Sequence, residues 1–209
     1  MIELYHCADA RSFRALWALE ELGLAYELHL LPFPPRVRSP DFLKINPLGT
    51  IPALRDGDTF MTESAGIVQY LATRYAPNPL NVDPTDPAYG AWINWLHFGE
   101  ATLTFPQTIV LRYRQFEPGR AEAAADDYAR WFASRLRGVD RALESGDYLC
   151  AERFTAADIS VGYALLLARN IGLEAALTPR VQAYWERISA RPAFARAKAA
   201  QMPPSARQD

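Results

Sequence analysis

The chain has 209 residues, of which 50% are hydrophobic and 22% charged, enough to bury one large core or two small ones. Its 22 Lys and Arg against 24 Asp and Glu leave a formal net charge of −2 with no basic run, which argues against nucleic acid as the main partner. No stretch approaches the ~18 apolar residues of a membrane-spanning helix, and the opening MIELYHCADARS lacks the basic start and apolar block of a signal peptide. Cys7 and Cys150 stand far apart without CxxC spacing, so neither a disulfide scaffold nor a metal site is expected, and the protein is expected in the cytoplasm.

In chain order, residues 2–5 read as a short apolar strand. A helix follows over 12–22, with Phe13, Leu16, Trp17 and Leu22 at helical spacing and Gly23 as its C-cap. Residues 25–30 alternate apolar and polar like a half-buried strand. Strand, helix and strand make a βαβ unit, which calls for parallel strands and a right-handed crossover. A proline-rich loop over 31–40 leads to a helical turn at 41–45.

The stretch NPLGTIPALRDGDTFMTESAG, residues 46–66, comes next. Its centre is an apolar strand over 50–54 with Pro52 where a ladder donor should be. Proline is confined to a strand's first residue, an edge or a bulge, and a cis Ile51–Pro52 bond is one way to build such a bend. Asp56-Gly57-Asp58 is a hairpin turn, because Gly beside Asp accepts positive φ. Glu63 and Ser64 then open an apolar-periodic segment carrying Ile67, Val68, Tyr70 and Leu71. That places an acid and a hydroxyl where a helix gathers unsatisfied N–H groups, a natural carboxylate seat.

Four prolines in APNPLNVDPTDP, residues 76–87, mark a domain boundary. The division expected is 1–76, a linker over 77–86, and 87–209. Beyond the linker only helices are expected. Asp86 and Pro87 make an N-cap and first-turn pair ahead of a segment rich in Trp92, Ile93, Trp95, Leu96 and Phe98. A helix over 120–143 follows. Thr155-Ala156-Ala157-Asp158 is a capping-box variant, with Phe154 and Ile159 placed as its staple. It starts a helix apolar nearly all round, the buried centre of a bundle. A last helix spans 178–189, and disorder is expected after Met202.

The words GTIPAL and ESAGI, in that order and at that spacing, resemble the glutathione-binding half of glutathione transferases, and FTAADIS resembles the same family's helical half. The resemblance implies a thioredoxin-like α/β N-terminal domain followed by an all-α helical bundle domain, a homodimer, and an active site where the domains meet. It further implies glutathione as cosubstrate and its conjugation to a small hydrophobic electrophile held in a pocket of the second domain. Carried over, the backbone of Ile51, ahead of Pro52, docks the cysteinyl unit. Glu63 meets the α-ammonium, and Ser64 with the helix end takes the γ-glutamyl carboxylate. Lys44 and Thr50 match positions that touch glutathione in some members, and Glu100 an acidic position that reaches the partner subunit's glutathione in others.

The family lowers the thiol pKa of bound glutathione, and a free thiol of pKa ~8.5 is mostly protonated at neutrality. The group that does so lies between Tyr5 and Arg14. Ser12 is the first choice, a hydroxyl at a helix N-terminus whose dipole favours an anion; a plain N-cap is its alternative use. Tyr5 stands where tyrosine-type members carry their phenol. Cys7 would suit a glutathione-dependent disulfide reductase, and Arg11 could add positive potential. Many serine-type members carry their hydroxyl where this chain has Asp9 and Ala10, a departure that also leaves open a non-catalytic glutathione-binding module. Phe98, Leu103, Phe105, Tyr113 and Phe116 are candidates to wall the electrophile pocket.

Overall fold

Alternation along Ile2–His6 (β1) buries Ile2, Leu4 and His6 and turns Glu3 and Tyr5 to the other face, the period of two that a strand imposes. In the computed structural model, which describes residues 1–202, β1 pairs in parallel with Tyr26–Leu30 (β2), Leu4 facing Leu28. On its other side β1 pairs antiparallel with Ala53–Asp56 (β3), Leu4 facing Leu54, and β3 pairs with Thr59–Met61 (β4). The sheet order is β2-β1-β3-β4. The strand expected over 50–54 starts later, at Ala53, because Pro52 has no N–H to give the ladder and sits just outside it.

Phe13–Leu22 (α1) buries every residue from Phe13 to Leu19 and stops at Gly23, whose φ of +62° turns its N–H back onto the Leu19 carbonyl. The crossover from β2 contains a short helix, Pro35–Arg38 (α2), that the proline-rich sequence did not suggest, and a 3-10 turn over Pro40–Lys44. Ser64–Arg74 (α3) buries Ile67, Val68 and Leu71 and packs beside α1.

The chain divides into two compact units, Met1–Asn78 together with the residues from Ala190 onward, and Pro79–Ser189. The second unit is helical: Tyr89–His97 (α4), Phe105–Leu111 (α5), Glu122–Ala142 (α6), Ala156–Asn170 (α7) and Pro179–Ser189 (α8). Asp86 does not cap a helix beginning at Pro87. Its carboxylate accepts the Ala88 N–H at 2.8 Å in a turn, and α4 starts at Tyr89. Two π-helical segments, Phe98–Thr104 and Arg112–Phe116, flank α5. At the first of them Gly99 lies so close to α7 that a Cβ there would stand 2.4 Å from Ser160 Oγ. Ser160 in turn donates to the Leu96 carbonyl at 2.6 Å.

The capping box forms as its sequence implies: Asp158 accepts the Thr155 N–H at 2.8 Å, and the Thr155 hydroxyl accepts the Ala157 N–H. Asp158 also accepts from Leu149 N–H and from the Tyr184 hydroxyl, and burial pushes its carboxyl up to about 6. Residues 156–168 of α7 are all buried, and only its last two, Arg169 and Asn170, are exposed.

The last helix was not expected either. Pro192–Ala200 (α9) groups with the first unit by its contacts, although it follows the helical unit in sequence. Phe194 meets Phe13 and Trp17 edge-on, with centroids 5.4 and 4.9 Å away. Arg191 holds Glu21 through two bonds of 2.6 and 2.8 Å, and Arg196 holds Glu20 at 2.8 Å. The tail expected to be disordered lies outside the described residues.

Candidate active site

Asn46 builds the loop before Pro52. Its side chain is buried; Nδ2 donates to the Thr50 carbonyl at 2.8 Å and to Thr50 Oγ1 at 3.2 Å, while Oδ1 accepts the Leu48 N–H at 3.2 Å. Gly49 completes the turn at φ +61°, where an added Cβ would fall 2.6 Å from Arg36 Cβ. The loop leaves Thr50 exposed, Ile51 half-buried and Pro52 buried, with the Ile51–Pro52 bond cis. The pairing of β1 with β3 ends at Ala53 opposite Tyr5, so Ile51 stands beyond the ladder. Asn46 lies in the stretch that the sequence singles out, but its role shows only when the loop is closed.

At the start of α3 Glu63 is exposed and caps the helix with its backbone only, its carbonyl accepting the Ile67 N–H at 2.8 Å. Ser64 is buried, and its Oγ accepts from Arg14 Nη1 at 3.1 Å. Arg14 is itself fully buried, so a guanidinium charge lies behind the hydroxyl at a helix N-terminus already positive in partial charge. Sequence reasoning passed over Arg14. The available signal was a charged residue inside the apolar face of α1, between Phe13 and Ala15, since arginine is almost never fully buried unless paired.

The candidates for handling a thiol do not converge. Ser12 is fully buried, and its hydroxyl donates to the Cys7 carbonyl at 3.4 Å and accepts the Cys7 N–H at 3.3 Å; it makes no side-chain cap for α1. Tyr5 faces away from Leu4 and His6, stacks on His29 with centroids 4.4 Å apart, and donates its hydroxyl to Glu3 at 3.3 Å. Burial, then the charge of Glu3, raises the Tyr5 phenol. Cys7 is fully buried, and burial pushes its thiol up to about 12.

Asp9, in the same loop, adopts a left-handed backbone at φ +52°. Its carboxylate takes two bonds from Lys198 Nζ, at 2.7 and 2.9 Å, and one from Gln201 Nε2 at 2.6 Å. Gln201 Oε1 accepts the Asp9 N–H at 3.1 Å and lies 3.0 Å from His6 Nε2. His6 is fully buried and pushed down to about 4 by that burial, the bond to Gln201 pulling the other way, so the ring is neutral at pH 7.

Lys44 forms an exposed pair with Asp41, and Glu100 sits in the first π-helical segment. Leu103 is buried, Phe105 and Phe116 are exposed, and Tyr113 lines an open cavity of about 240 Å³ with Pro118 and three charged residues, Arg114, Glu122 and Asp126. Among the described residues no cluster of three or more His, Cys, Asp or Glu could hold a metal, and no helix is long and apolar enough to cross a membrane.

A four-stranded sheet flanked by helices, with a cis-proline loop and a polar helix start beside it, defines a thioredoxin-like unit, here followed by a helical one. Residues 4–79 match the family model for the glutathione S-transferase N-terminal domain, and residues 108–192 match that for the C-terminal domain. The chain belongs to the glutathione transferase family. It is 33% identical to glutathione S-transferase 3 of Zea mays over 199 residues, covering 90% of this chain and 88% of the relative. It is 30% identical to glutathione S-transferase GstB of Escherichia coli strain K12, covering 86% of this chain and 88% of that one. A solved glutathione transferase from Methylococcus capsulatus superposes with a TM-score of 0.85 at 27% identity, covering 96% of this chain and 98% of the other.

Proposed function

We propose that the protein conjugates the thiolate of glutathione to a small hydrophobic electrophile. The observation that carries the reading is the pairing of two prepared seats in one unit: the Asn46-braced loop presenting Ile51, and Ser64 at the start of α3 with Arg14 behind it. Ile51 receives the cysteinyl unit as an added strand would be received, through main-chain hydrogen bonds. Ser64 and the helix end take the γ-glutamyl carboxylate, Arg14 adding charge-assisted support, while Glu63 meets the α-ammonium; Thr50 and Pro52 border the tripeptide.

In this reading the sulfur lies against the loop between β1 and α1. The electrophile's carbon accepts the sulfur lone pair, and a leaving group departs with the electrons of the broken bond. Of the two hydroxyls considered, Ser12 is assigned to the thiolate, exchanging its bond to the Cys7 carbonyl for one to sulfur; Tyr5 is engaged by Glu3 on the other face of β1. A reductase using Cys7 is disfavoured, since a thiol raised by burial is the reverse of a reactive one. A homodimer in the cytoplasm accords with the family.

The test is a pH titration of protein-bound glutathione, followed by thiolate absorbance, on the wild type, Ser12→Ala and Tyr5→Phe. The bound thiol should titrate well below the free value of ~8.5, with the shift lost in Ser12→Ala and kept in Tyr5→Phe. Binding without any downward shift in the wild type would overturn the conjugation reading and leave a glutathione-binding module.

A further inference from the structure

Three features of the first unit converge on one residue that the proposed chemistry has not used. Asp9 stands in the loop between β1 and α1, where an ionised carboxylate would repel a thiolate bound there and raise the thiol's pKa. Lys198 meets that carboxylate with both oxygens in reach, at 2.7 and 2.9 Å. Gln201, buried, reads the same residue twice, through its N–H and its carboxylate, and ties it to His6.

We propose that Lys198 and Gln201 are positioning residues of the thiol site: Lys198 is the counter-ion that cancels the charge of Asp9 beside the sulfur, and Gln201 fixes the loop in which Asp9 sits. This rests on the reading that places the sulfur at that loop. The titratable and charged groups near it come from β1, the loop itself, α1 and α9. His6 reaches it from β1 and is neutral; Arg11 follows two residues later in the loop; Arg14 on α1 turns to Ser64; Lys198 comes from α9. Lys198 Nζ also lies 5.8 Å from the centroid of the Phe13 ring, which helps to hold the ammonium over the start of α1. The left-handed backbone of Asp9, unusual for a residue with a side chain, is kept by the bond from its own N–H to Gln201.

Charge cancellation separates this proposal from simple helix docking, because it predicts a sign reversal. Lys198→Met takes the ammonium away from the Asp9 carboxylate, which keeps its bond from Gln201, and should raise the bound thiol pKa by roughly 1 unit or more. Asp9→Asn leaves a bare ammonium and should lower it. The double variant Asp9→Asn/Lys198→Met should titrate near the wild type, and Lys198→Arg should keep the wild-type value. Arg196→Met, which breaks a pair with Glu20 from a position two residues before Lys198 on α9, should leave the titration alone. The proposal is overturned if Asp9→Asn fails to lower the pKa, or if the double variant stays as raised as Lys198→Met. The Asp9→Asn arm decides the matter even if Lys198→Met fails to fold. A wild type with no thiolate shift would instead sink the functional reading beneath it, so the two failures are distinguishable.

Discussion

Between residues 46 and 64 the polar groups are held by near neighbours in sequence and by one arginine of α1, whereas in the loop between β1 and α1 His6 and Asp9 are held by residues 189 to 195 positions away, beside the local pair of Cys7 and Ser12. The first region is a turn that specifies itself: Asn46 bonds Leu48 and Thr50, Gly49 supplies the positive φ, and Ser64 needs only Arg14. The second region is a loop whose shape depends on α9. On the proposed reading, the first seat for the tripeptide is set mostly by local sequence, with Arg14 the one contribution from α1. In the second, the electrostatics around a sulfur would be tuned by an element at the far end of the chain. If the two sites act as proposed, recognition and reactivity can vary independently.

That separation is open to attack, and the largest expected effect concerns the distant clamp. His6 is pushed down to about 4 in the folded chain against an ordinary 6.5. As pH falls from 6.5 towards 4, the unfolded chain takes up a proton that the folded chain refuses, so stability is lost, by up to about 3 kcal/mol. Asp158, pushed up to about 6, acts in the opposite sense and gains stability as pH falls from 6 towards 3.8. In urea melts His6→Gln should therefore gain on the wild type steadily between pH 6.5 and 4.5. A constant difference between the two would remove His6 from the clamp's energetics.

Arg14→Met strips a buried charged donor from Ser64 and should weaken glutathione binding by about 1.5–3 kcal/mol, or roughly 10- to 100-fold in calorimetry. The bound thiol pKa should not follow; if it does, the two regions are electrostatically one. Asn46→Ala removes the braces of the Ile51 loop and should cost about 1 kcal/mol, read as a several-fold rise in the KM for glutathione with kcat nearly kept. The smallest effect belongs to Arg196→Met, whose pair with Glu20 is half-exposed. It should cost no more than about 1 kcal/mol of thermal stability, a cost that shrinks in high salt, and leave glutathione kinetics unchanged.

The same contrast governs what can be read from the sequence. The parallel βαβ unit, the hairpin at Gly57, the helix opening at Ser64 and the capping box of α7 are local patterns, and all of them form. The details missed depend on distance or on backbone irregularity. Nothing in the amide of Gln201 or the ammonium of Lys198 points to Asp9 until the chain is folded. α9 itself hides in PAFARAKAA, nine helical residues with few large apolar side chains to set a period. The π-helical segments around α5 leave no pattern to count, since one extra residue per turn changes the ladder and not the composition. Ser12 was legible as a residue at the start of α1, yet its bond to the Cys7 backbone was not.

The return of α9 to the first unit also bears on how the protein is made. Phe13 and Trp17 of α1 lie under Phe194, and Glu20 and Glu21 wait for Arg196 and Arg191. During synthesis the N-terminal unit leaves the ribosome first, but its surface is closed only when residue 201 has emerged, after the entire helical unit has been translated. A nascent chain halted at residue 189 would lack the cover that Phe194 gives those two aromatic rings, which makes residues 190–201 the segment that closes the first unit.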